Sequence, residues 1–245
     1  MLILLPPSET KRPGGVGISI DKVAIIWAAL DPAREKVIAA LEQVSKDPEL
    51  AAKALKLGKK SLVEANKNLS LWLSPTMPAL ERYTGVLYDA LDYQTLSDEA
   101  LKRAGDQLFI QSALFGLVPA MEQIPDYRLS ADSKLPGVNL KKLWQEAHLA
   151  VWPRLVGPVL DMRSESYVNL NPAPESLESY FVEVVDQNSG RALNHFNKKA
   201  KGAFVRSALI NGLDSIDDLS SVASKAGLGF QLAGDRVVLS VPKGF

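Results

Sequence analysis

The opening of the chain constrains its fold most. Met1-Leu2-Ile3-Leu4-Leu5 is an unbroken apolar run that stops at Pro6-Pro7. It has no basic flank before it, and it is too short for the core of a signal peptide or for a membrane span. A run of this kind is expected to be a buried strand of a cytoplasmic protein. The polar stretch that follows, Ser8-Glu9-Thr10-Lys11-Arg12 before Pro13-Gly14-Gly15, sits where a buried strand exits, a common place for a functional loop.

Composition narrows the chemistry. The chain has 245 residues, 47% of them hydrophobic and 23% charged, which fits one large domain able to bury its own core. It contains no cysteine, which excludes disulfides, thiolate-ligated metals, iron–sulfur clusters and a cysteine nucleophile. Only His148 and His195 could offer imidazole, so no metal site and no cofactor are expected. The formal net charge is zero, but the charges are polarised. Residues 187–213 carry Arg191, Lys198, Lys199, Lys201 and Arg206 without an acid until Asp214, and residues 53–60 carry Lys53, Lys56, Lys59 and Lys60 with none. Such segments can present local basic surfaces on a neutral protein.

Helical and strand patterns alternate without a repeat or a linker, so a single α+β domain spanning residues 1–245 is expected. Asp31-Pro32 and Asp47-Pro48 are helix starts, followed by Val37, Ile38, Leu41 and Val44 and then by Leu50, Ala54 and Leu57 at helical spacing. Gly58 interrupts, and a second short helix through Leu62, Val63 and Asn66 completes a helix–turn–helix pattern within residues 34–69. Ser97 caps a helix with Asp98 and Glu99 in its first turn. Residues 108–117 read as a core strand ending at Gly116, and residues 140–155 as an amphipathic helix. Residues 159–170 and 180–186 have strand composition, and Asn188-Ser189-Gly190 reads as a turn into residues 191–196. A helix over 198–211, a capping box at Ser215 and Asp218, a stop at Gly227 and a closing hairpin around Gly234-Asp235 complete the chain.

Several of these blocks, in order, resemble the YaaA-type peroxide stress resistance family. They are Leu2-Ile3-Leu4 with Pro7 and Thr10; Gly85 with residues 91–97; Ser112-Ala113-Leu114-Phe115-Gly116-Leu117-Val118-Pro119; Tyr127-Arg128-Leu129; Leu143-Trp144; Ser164-Glu165-Ser166-Tyr167; and Lys198-Lys199-Ala200-Lys201-Gly202 with Arg206. Departures from the family pattern are Glu9, where a lysine is common although Lys11 is nearby, Thr84 or its neighbours in place of a lysine before the glycine of the second block, and Lys201 in place of an arginine. The resemblance implies a cytoplasmic protein of the oxidative stress response that limits hydrogen peroxide damage and free-iron toxicity. It also implies one compact α+β domain, the cantaloupe fold, with a mixed sheet, surrounding helices and a helix-hairpin-helix element. DNA, double-stranded or distorted and bound with low sequence specificity, is the implied partner.

Two site expectations follow. A DNA surface would use Lys53, Lys56, Gly58, Lys59 and Lys60 at the hairpin and Lys198, Lys199, Lys201 and Arg206 on the basic helix. Its contacts to phosphates would be salt-dependent and blind to sequence. A polar cleft for an enzyme substrate or a small anionic ligand would gather Glu9, Thr10, Lys11, Tyr127, Arg128, Ser164, Glu165, Tyr167 and His195. On a strand, Glu165 and Tyr167 would share one face and Ser164 the other. The bland alternatives are an ordinary αα-hairpin with solvated lysines, and ion pairs of Arg128 with Asp126, Glu122 or Asp132. His148, four residues after Trp144, reads as a packing residue. Iron binding by the protein itself is disfavoured by its scarce histidines.

Overall fold

The structure is a computed structural model that describes residues 1–20, 25–193 and 195–245. Of His195 only the backbone is described, so the expectation for its side chain lies outside the described residues.

In chain order the elements are β1 (Leu2–Leu5), α1 (Asp31–Ser45), α2 (Pro48–Ala54), a 3₁₀ run over Leu62–Leu73, β2 (Met77–Pro78), α3 (Ala79–Arg82), α4 (Val86–Leu91), α5 (Asp98–Gln107), β3 (Leu108–Ser112), β4 (Gly116–Pro119), β5 (Gln123–Ile124), α6 (Leu140–His148), β6 (Val159–Asp161), α7 (Glu165–Leu170), β7 (Ser179–Asp186), α8 (His195–Asn211), α9 (Leu219–Lys225), β8 (Gly229–Ala233) and β9 (Arg236–Val241). The main sheet runs β4-β3-β1-β6-β7-β9-β8. Its inner pairings are parallel, and the edge strands β4 and β8 are antiparallel. One apolar core runs from Ile3 to Val241, so the chain is a single mixed α+β domain. Among the described residues no helix is long and apolar enough to cross a membrane.

The sheet explains the sequence pattern. Strands β1, β3 and β6 are covered on both faces, so their residues read as continuous apolar runs rather than alternating ones. In β9 burial alternates along the strand, because one face is more open. The chain leaves β1 toward β3 and later returns to β6 on the other side of β1. At such a reversal the loops leaving the carboxyl ends of neighbouring strands diverge and open a crevice.

Local signals account for most helix starts. Asp47 caps α2 through the amides of Glu49 and Leu50, with Pro48 in the first position. Ser97 caps α5 through the amide of Ala100, and the capping box between Ser215 and Asp218 is present. Several expectations need correction. Asp31 is the first residue of α1 rather than its cap, and it holds the buried Arg34 at 2.8 Å. Residues 108–117 are two strands, because Gly116, with φ of +73°, turns the chain into a hairpin. Ala192 makes an isolated bridge to Val185, and α8 begins at His195, so residues 195 and 196 are helical rather than part of a strand. Residues 159–170 divide into β6 and α7, so Ser164 and Glu165 do not lie on a strand.

Candidate functional site

The crevice at the reversal is occupied by a cavity of about 460 Å³. Its wall takes residues 6–10 after β1, residues 84–88 at the start of α4, residues 130–132, then Ser164, Ser166 and Tyr167 at the start of α7, and Lys198 of α8. Four of the family-like blocks, far apart in the chain, therefore meet here, through Pro7 and Thr10, Gly85, Ser164 with Ser166 and Tyr167, and Lys198, whereas residues 112–119, 127–129 and 143–144 lie outside the wall. A more open hollow of about 910 Å³ adjoins it, sharing Ala131, Asp132 and Ser166 and adding Glu165.

Each wall is held by a specific device. The loop after β1 is tied to the turn before α4: the amide of Thr84 donates to the carbonyl of Thr10 at 3.2 Å, and Thr10 Oγ1 donates back to the Thr84 carbonyl at 3.3 Å. Gly85 has φ of +98°, and a Cβ there would meet Thr10 Oγ1 at 3.3 Å and Ser8 Oγ at 3.4 Å. The Tyr88 hydroxyl donates to the Pro6 carbonyl at 2.8 Å. Ser164 is the N-terminal residue flanking α7, and its Oγ lies 3.1 Å from Ser166 Oγ. Serine followed by glutamate in a first helical turn is a helix-start signature, the signal that strand composition obscured.

Beneath the β1 loop lies a polar knot. The Tyr127 hydroxyl is 2.7 Å from both the Tyr83 hydroxyl and Ser112 Oγ, and Ser112 Oγ accepts the amides of Leu114 and Phe115 at 3.0 Å. Burial pushes both phenols upward. Lys11 is enclosed here. Its ammonium donates to the carbonyls of Ser8 and Glu9 at 3.1 and 3.4 Å and lies 4.1 Å from the Tyr127 ring centre. Burial lowers it to about 7, partly offset by the charge of Asp126. Arg128 pairs with Glu9 at 2.9 Å rather than with the acids near it in sequence. Asp126 instead takes Lys67 at 3.0 Å. Buried Asn68 accepts the Arg128 amide at 2.8 Å and donates to its carbonyl at 3.0 Å. Nothing in the local pattern around Asn68 marks it as the residue that fixes this segment.

The basic residues separate into different environments. Lys198 and Lys199 are exposed, and Lys198 lines the cavity. Lys201 is buried, its ammonium on the Met162 carbonyl at 3.1 Å, and burial lowers it to about 8. It adds no charge to the solvent-facing surface. Arg206 donates to the carbonyls of Leu91 and Asp92 at 2.9 and 3.0 Å and so closes the C-terminus of α4. Lys53, Lys56, Lys59 and Lys60 are exposed around the turn after α2. That turn depends on Lys56, at φ of +54°, whose position lets the Leu57 amide reach the Ala52 carbonyl at 2.9 Å. Gly58 is not in the left-handed region, and a Cβ there would meet only Ser61 Oγ at 4.0 Å. The turn touches the loop that lines the adjoining hollow, since the Lys134 amide donates to the Ala54 carbonyl at 2.8 Å.

A family model described as "Peroxide stress protein YaaA" matches residues 1–233. A UPF0246 protein of Corynebacterium glutamicum strain R is 38% identical over 235 residues, covering 93% of this chain and 94% of that protein. A UPF0246 protein of Streptomyces coelicolor is 36% identical over 241 residues, covering 96% and 93%. One from Shewanella pealeana is 28% identical over 243 residues, with 90% of each chain covered.

Proposed function

Because the chain belongs to the YaaA-type peroxide stress protein family, we propose that it serves the response to hydrogen peroxide through a small polar ligand held in the cavity at the ends of β1 and β6. The observation that carries this reading is the convergence of five distant segments on that cavity. Its wall is rich in hydroxyls, from Ser8, Thr10, Thr84, Ser130, Ser164 and Ser166, with charge supplied by Glu9, Asp132 and Lys198. Such a lining suits a ligand that carries several hydrogen-bonding groups and at least one charge. Lower free iron then follows indirectly, through whatever the ligand controls.

A second reading, non-specific DNA binding by a helix-hairpin-helix-like element, is favoured by one observation. Lys53, Lys56, Lys59 and Lys60 crowd one exposed turn, and no ion pair engages them among the described residues. Contacts from such a turn would add affinity without sequence preference.

Peroxide survival separates the two. In cells lacking the gene, wild type restores survival. Ser166→Trp, which fills the cavity wall, fails to restore it, whereas Lys59→Ala/Lys60→Ala succeeds. The opposite pattern would discard the cavity and favour DNA.

A further inference from the structure

We propose that Glu9 is an internal anion occupying the binding position of a ligand phosphate on Arg128, and that the ligand displaces it. This rests on the reading of the cavity as a small-ligand site. The argument begins with an asymmetry in the ion pair. The Arg128 side chain is 13% exposed and the Glu9 side chain 66% exposed. Arg128 is presented from a rigid segment: Asn68 holds its amide and carbonyl, and Tyr127 before it is fixed by Tyr83 and Ser112. The Glu9 carboxylate has Arg128 as its one side-chain partner among the described residues. The cation is therefore preorganised and the anion is free to leave.

Glu9 lines the cavity and Arg128 does not, so from the cavity the guanidinium is reached through the carboxylate bonded to it. Guanidinium binds phosphate and carboxylate through the same paired hydrogen bonds, so the two anions compete for one fork. A phosphate monoester carries more charge and more acceptor oxygens than Glu9, which favours exchange. Lys198 stands on the same wall without an ion-pair partner among the described residues and supplies a second cation. The hydroxyl-rich remainder suits the sugar to which the phosphate is attached. The ligand class is thus a sugar phosphate, either as a free small molecule or as the terminal phosphate of a nucleic acid strand. Glu9 sets a threshold in either case, because every binding event must first break its ion pair.

Calorimetric titration with ribose 5-phosphate and with a 5′-phosphorylated oligonucleotide tests this on wild type, Glu9→Gln and Arg128→Gln. Glu9→Gln is expected to tighten binding five- to tenfold, and Arg128→Gln to weaken it at least tenfold. Tighter binding of the sugar phosphate alone assigns the free molecule, and tighter binding of the oligonucleotide alone assigns the strand end. If Glu9→Gln binds no more tightly than wild type while wild type binds, the displacement idea falls and the cavity reading stands. If neither ribose 5-phosphate nor the oligonucleotide binds wild type or Glu9→Gln, the sugar-phosphate proposal falls, while the cavity reading itself falls only if Ser166→Trp restores peroxide survival.

Discussion

His148 Nε2 accepts the backbone amide of Leu117 at 3.1 Å, across 31 residues of sequence. Since that amide must donate, Nε2 carries no proton, and Nδ1 donates to the Trp144 carbonyl at 2.7 Å. The neutral ring thus joins α6 to β4 in a position that admits no second proton. Burial holds the imidazole down to about 4, helped by the charges of Arg163 and Arg34 and opposed by the Trp144 carbonyl.

That bond makes stability depend on pH. The folded-state value lies below the unfolded one of ~6.5, so the unfolded chain binds more protons between them. The contribution is full above the unfolded value and is lost as pH falls toward about 4. Urea unfolding at pH 7 and pH 5 should differ by about 2 kcal/mol. A His148→Gln variant, less stable at both, should lose most of that difference. An unchanged slope in the variant would assign the effect to other groups.

Gly202 lets α8 lie directly on α4, since a Cβ there would collide with the Leu87 carbonyl and crowd Ala90. Both helices line the cavity. Gly202→Ala is expected to cost about 2–3 kcal/mol in urea unfolding by forcing the helices apart. The same variant should weaken any cavity ligand more than a surface change such as Lys225→Ala does. Stability within 0.5 kcal/mol of wild type would show that the helices separate at little cost.

At Lys56 the expected sign is reversed. A side chain at φ of +54° is strained, and glycine is not. Lys56→Gly should raise stability by about 0.5–1 kcal/mol, read as a higher urea midpoint at constant slope. A lower midpoint would mean that the lysine side chain makes a compensating contact.

Asp161 holds buried Arg163 through paired bonds of 2.9 and 2.7 Å, and Arg163 also donates to the Asn171 carbonyl at 2.8 Å. Asp161→Asn leaves a buried guanidinium without its countercharge, at an expected cost of about 3–5 kcal/mol. Replacing both members by apolar residues, Asp161→Leu/Arg163→Met, should cost less than that single change. Thermal unfolding of the two variants checks the order.

What was legible in the sequence follows from range. Asp47, Ser97, Ser215 and Gly227 act on neighbours within a few residues, so their helix boundaries could be read directly. The apolar run before Pro6 likewise announced a strand buried on both faces. The split of residues 159–170 was not legible by composition, because Val159-Leu160 and Tyr167-Val168 look alike although Ser164 starts a helix between them. Gly58 stood out as a breaker, yet the left-handed position fell two residues earlier on a lysine, chosen by the hydrogen bond from Leu57 to Ala52. Arg128 and Tyr127 could be flagged from their motif, but the partner Glu9 lies 119 residues away and Asn68 lies 60 away. No local pattern encodes those distances; Glu9 arrives on the loop leaving β1 and Asn68 on the 3₁₀ run over Leu62–Leu73, and their meeting with Arg128 is set by tertiary packing.

The residues that wall the cavity include no sulfur atom, and the chain has no cysteine anywhere. Peroxide consumes thiolates and thioethers first, converting them to acids and sulfoxides. Hydroxyls, carboxylates and an ammonium, the polar groups of that wall, resist that conversion. On the proposed reading, a pocket made from them would hold its ligand unchanged through an exposure that oxidises thiol-dependent sites elsewhere.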